Sequence, residues 1–89
     1  MEIRVTHTLG REQGMQRMLA AAGRLGLELE VQEGAYEGEV RKSSPLGAIQ
    51  ARFSILEAEA VIVITKKPAF LPQDTVRRAI EEGLREELR

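Results

Sequence analysis

The sequence predicts an α+β fold: a two-layer sandwich in the order β-α-β-β-β-β-α, with a mainly antiparallel sheet and both helices on one face. Three observations carry this. Apolar and polar residues alternate with a period of two in several short stretches. Two longer stretches place apolar residues three and four apart. The alternating strands have one charged side, so one sheet face is left for solvent and the other for the helices. With 89 residues, below the roughly 100–200 of a typical domain, the chain makes a single α+β domain over residues 1–89.

The first strand is expected over Met1 to Thr8, where Ile3 and Val5 alternate with Glu2, Arg4 and Thr6 and His7 continues the inward parity. Thr8-Leu9-Gly10 breaks it. A helix follows from about Arg11 to Leu25, with Met15, Met18, Leu19, Ala22 and Leu25 on one stripe. Gly14, which costs about 1 kcal/mol against alanine in a helix interior, marks close packing on the sheet. Gly26 is the expected left-handed cap.

Leu27, Leu29 and Val31 alternate with Glu28, Glu30 and Gln32 in the second strand, and Glu33-Gly34 supplies a turn. In the third, Tyr36, Gly38 and Val40 share one parity and Glu37, Glu39 and Arg41 the other. Lys42-Ser43-Ser44-Pro45 reads as a loop. From Gly47 the next strand carries Ile49, Ala51, Phe53 and Ile55 inward. After Glu57-Ala58-Glu59, the run Ala60-Val61-Ile62-Val63-Ile64-Thr65 is apolar on both faces, so it is either covered on each side or lies at a subunit contact. Its parity is not readable. The last helix runs from Asp74 to Leu88, with Val76, Ala79, Ile80, Gly83, Leu84 and Leu88 on its stripe.

Thirteen Lys and Arg against fourteen Asp and Glu, with two Phe, one Tyr and no Trp, argue against nucleic-acid binding, which calls for a basic face and stacking aromatics. Without cysteine and with a single histidine, no disulfide framework, thiolate metal site or histidine cluster can form. No cofactor motif is present: the glycines fit neither GxxxxGK[ST] nor GxGxxG. The apolar runs fall well short of the roughly 20 residues that span a bilayer, and no signal-peptide pattern opens the chain, so a cytoplasmic protein is expected. Acids that are Glu with the exception of Asp74, and the lack of Asn and Cys, resemble the composition of heat-tolerant proteins.

No catalytic residue is assigned, because nothing in the spacing places His7 beside Ser43, Ser44 or Ser54. The simplest reading of His7 is a partly buried ring bonded to backbone near the helix start; the alternative makes His7 and Tyr36 polar contacts for a small ligand between helices and sheet. Glu28, Glu30, Glu37 and Glu39 read as a solvated sheet face on which like charges repel unless Arg41 or Arg52 intervenes. Pro68-Ala69-Phe70-Leu71-Pro72 has two readings. Either Leu71 staples the last helix while Phe70 covers the core, or Lys66, Lys67, Phe70 and Leu71 form a surface contact for a protein or a lipid-like particle. Val61, Ile62, Val63 and Ile64 are the candidate dimer contact.

The opening Ile3-Arg4-Val5-Thr6-His7-Thr8-Leu9-Gly10-Arg11-Glu12 resembles the start of the small polyhydroxyalkanoic acid system proteins. The resemblance continues through Gly26-Leu27 into the meander, then through Ala60 to Thr65, the Phe70-Leu71 connector and the Arg/Glu-rich helix. It implies a non-enzymatic accessory role at polyester granules or on a granule-associated protein, and carries over no catalytic residue. Gly14 and a longer turn around Ser43 to Leu46 depart from that pattern. The order of elements is also similar to a shortened helix-grip domain, whose sheet can hold an apolar ligand.

Overall fold

The computed structural model describes residues 1–32, 34–45 and 47–89. Along the chain come β1 (Glu2–Thr6), α1 (Gly10–Leu25), β2 (Glu28–Val31), β3 (Glu37–Ser44), β4 (Gly47–Ile55), β5 (Glu59–Lys66) and α2 (Gln73–Glu87). All strand pairings are antiparallel and the sheet order is β1-β5-β4-β3-β2. Thus β2 to β5 form a meander and β1 returns beside β5. The expected α+β architecture and element order are those of the molecule.

Register settles the parity that composition left open in β5. Ile3 stands opposite Ile62 and Val5 opposite Ala60, while Phe53 stands opposite Ile62 on the other side. Ala60, Ile62 and Ile64 therefore share the helix side with Ile3, Val5, Phe53 and Ile55, and all are buried. Met15 and Met18 from α1, Leu84 from α2 and Leu88 just beyond it complete this core. The buried members of the helix stripes and strand parities form one apolar set, the source of the fold's stability, while Leu19 and Leu25 of the expected α1 stripe stay 46% and 56% exposed.

The turn read over Lys42-Ser43-Ser44-Pro45 is a correction. The ladder runs on through Lys42 opposite Ile49, Ser43 opposite Ala48 and Ser44 opposite Gly47. Backbone pairing decides the conformation there, overriding the turn preference of serine. The longer turn expected to reach Leu46 lies in part outside the described residues. Likewise Glu33 of the expected Glu33-Gly34 turn lies outside them.

Helix ends follow their residues. Gly26 adopts φ +68° and its N–H donates to the Ala22 carbonyl, closing α1; the positive φ suits glycine. Pro72 precedes α2, Asp74 lies in its first turn, and Glu81 is within 3.9 Å of Arg77 and 3.8 Å of Arg85. Gly14 is buried where α1 crosses the sheet: a Cβ there would sit 2.8 Å from Ile55 Cγ2 and 3.4 Å from His7 Cε1.

Candidate functional site

His7 is 7% exposed. Its Nε2 lies 3.0 Å from the Leu56 carbonyl, and the Leu9 N–H donates to Nδ1 at 3.2 Å. These partners assign the ring proton to Nε2 and leave Nδ1 an acceptor. The imidazole thus ties the end of β1 to the β4–β5 turn and to the residue before α1. With both nitrogens held by backbone, it offers neither a free base nor a free metal ligand. Replacing His7 with Phe keeps the volume but strands the Leu56 carbonyl and the Leu9 N–H. The expected loss is about 2–6 kcal/mol of unfolding free energy, from roughly 1–3 kcal/mol for each of the two unsatisfied groups, measured by urea titration.

Tyr36 sits at the same end of the sheet, its carbonyl accepting from the Ile55 N–H at 2.7 Å. Its ring is 39% exposed, and neither it nor His7 lines a described cavity. The two residues proposed as polar ligand contacts flank β1 and β3, with β5 and β4 between those strands.

The connector between β5 and α2 is a tight turn. The Leu71 N–H donates to the Pro68 carbonyl at 3.1 Å, and Lys67 Nζ donates to the Leu71 carbonyl at 2.8 Å. Pro68 packs over Gly47 at the start of β4, where a Cβ would come within 2.9 Å of the proline ring. Held in this way, the turn presents Phe70 at 61% exposure. Phe70 does not cover the core, which corrects the first reading of this segment: the turn closes too soon to carry the ring back over the sheet. Leu71 is half-buried and Lys66 exposed.

On the open sheet face Glu30 lies directly opposite Glu39, and Glu28 opposite Arg41. Arg52 reaches Glu39 at 3.6 Å. At the other edge Arg4 donates to Glu59 at 2.5 Å and to Glu2; these bonds, Glu2's first, hold the guanidinium above its ordinary pKa. The register thus places Arg41 beside Glu28 and Arg52 beside Glu39. Two shallow depressions of about 430 and 480 Å³ lie among these charges. Val61 and Val63 also point to this face, Val63 being 37% exposed, whereas Ile62 and Ile64 point into the core. Of the four candidate dimer residues, Ile62 and Ile64 are consumed by the core and Val61 is buried on the other face, so Val63 alone of the four is exposed.

One feature was not read from the sequence. Between α1 and α2 lies a groove of about 380 Å³, walled by Ala22 and Leu25 on one side and Ala79 and Gly83 on the other, with Val40 and Ile62 in its floor. Among the described residues its lining is apolar apart from Lys42 and Glu87. Two hints existed: Ala79 and Gly83 are small members of the α2 stripe, and Lys42 shares the inward parity of Val40. Among the described residues no group of His, Asp and Glu is arranged to hold a metal, and no helix is long and apolar enough to cross a membrane.

Comparison with protein-family models, with characterised proteins and with solved structures finds no match.

Proposed function

We propose that this chain is a non-enzymatic accessory module of the cytoplasm that docks on the surface of polyester granules, the role implied by its resemblance to the polyhydroxyalkanoic acid system proteins. The observation that supports this reading is the Phe70 ring, held out at 61% exposure by a hydrogen-bonded turn. Exposed Lys66 precedes it and half-buried Leu71 follows it, so an apolar tip is framed by positive charge. Such a tip gains free energy by entering an apolar surface, while the ammonium suits an anionic rim. Involvement of both His7 nitrogens with backbone supports a role without general base chemistry. A homodimer, in this reading, joins open faces at Val63, the exposed member of the β5 run.

The test is co-sedimentation of the protein with purified polyester particles. Full burial of a large apolar side chain contributes about 1.5–3 kcal/mol, so Phe70→Ser with Leu71→Ser should weaken binding at least tenfold. The melting temperature should stay within a few degrees of the parent, since the Phe70 ring supports no core contact. Sedimentation unchanged by the double substitution refutes the docking role.

A further inference from the structure

We propose that the groove between α1 and α2 is a binding site for a single aliphatic chain bearing a carboxylate, with the chain between the helices and the carboxylate on Lys42. Its volume of about 380 Å³ falls at the lower end of the roughly 300–1,000 Å³ of small-molecule pockets, which suits one unbranched chain rather than a bulky ring system. The space exists because of the residues at its walls: Ala22 on α1 and Ala79 and Gly83 on α2 are too small to bridge the gap. A Cβ on Gly83 would meet nothing within 4 Å.

The charge at the rim selects the occupant. Glu87 is already engaged, since Arg24 forms an ion pair with its carboxylate and Arg17 donates to its carbonyl at 3.3 Å. Lys42 stands differently. It occupies the helix-side parity of β3, which it shares with Val40, opposite Ile49. Its ammonium has one long contact, to the Leu25 carbonyl at 3.4 Å, and no carboxylate of the described residues pairs with it. An apolar slot with one unpaired cation at its mouth complements an amphipathic anion: the tail supplies affinity through burial and the headgroup supplies orientation.

The experiment is calorimetric titration of the full chain with dodecanoate, 3-hydroxydodecanoate and dodecyltrimethylammonium, each below its micelle concentration. Dodecanoate should bind one molecule per chain. Shortening it by two methylenes should weaken binding about tenfold, from roughly 0.8 kcal/mol per buried CH₂. Gly83→Leu fills the groove and should abolish binding without lowering the melting temperature; Ala79→Leu serves the same purpose should the first variant fail to fold. Lys42→Gln should weaken both carboxylates about three- to fivefold, as expected for a partly exposed ion pair, and erase their preference over the ammonium probe. Equal affinity for the two carboxylates assigns the site to the shared acyl chain; a preference for the hydroxy acid assigns it to hydroxyacyl ligands. Phe70→Ser with Leu71→Ser should leave the titration unchanged, which separates this site from granule docking. Absence of heat, binding that survives both groove-filling variants, or a ligand-free dimer that Gly83→Leu converts to monomer overturns the proposal, the last by showing that a second copy fills the groove.

Discussion

Gly38→Val should leave the chain largely unfolded at room temperature, seen as loss of the cooperative urea transition. A Cβ at Gly38 would lie inside the contact distance of the Glu30 carbonyl oxygen and 3.2 Å from the ring of Phe53. The first obstacle is backbone in the adjacent strand β2, which can yield only by breaking the pairing of Val31 with Gly38. Overpacking in a well-packed interior costs about 1–3 kcal/mol when side chains can give way. Here they cannot, so the cost lies above that range. Native domains keep about 0.05–0.15 kcal/mol per residue, which leaves a chain this short little reserve. Gly38→Ala should show the same loss in milder form, with β2 exchanging its amide hydrogens first. Full retention of stability in the alanine variant overturns the argument.

Phe53→Ala comes next in size. The ring is 1% exposed and packs between Gly38 on β3 and Ile62 on β5. Its truncation should cost about 3–5 kcal/mol, the sum of lost burial and a cavity that rigid strands cannot close, read from the urea midpoint at unchanged slope. The two sites are coupled. Removing the ring clears one of the obstacles above Gly38 but leaves the Glu30 carbonyl in place. Gly38→Ala should therefore remain destabilising in the Phe53→Ala background, by less than in the parent.

Strand parity in this chain was legible wherever apolar and charged residues alternate, as in Ile3 and Val5 or Ala51, Phe53 and Ile55. Each such stretch can bury one side only. In β5 that contrast is missing: Val61 and Val63 are as apolar as Ile62 and Ile64, and the choice is made by register against Ile3 and Phe53. Ser43 and Ser44 read as loop because their local preference opposes extension, and the ladder to Gly47 and Ala48 overrides it. His7 was legible because the end of a buried strand before a helix start offers backbone partners to a ring with two nitrogens.

The interhelical groove lay beyond such reasoning. Its width depends on how far apart two helices pack, and helix spacing is a property of the assembled layers. The choice between the two readings of Phe70 was out of reach for a related cause. Whether an aromatic in a Pro-flanked segment turns inward depends on where the turn closes, and that is decided by the Leu71 to Pro68 hydrogen bond and by Lys67 reaching the Leu71 carbonyl.

The place of β1 has a consequence for how the chain acquires its shape. Thr6 meets Glu59 and Glu2 meets Val63, so β1, made before the meander, finds its neighbour only after the whole meander has been synthesised. Hairpins β2–β3, β3–β4 and β4–β5 close between residues near in sequence and can form as they emerge, whereas β1 closes a long loop at an entropic penalty. During translation Ile3 and Val5 remain uncovered, and a nascent-chain chaperone or an early contact with α1 is what would keep them from aggregating.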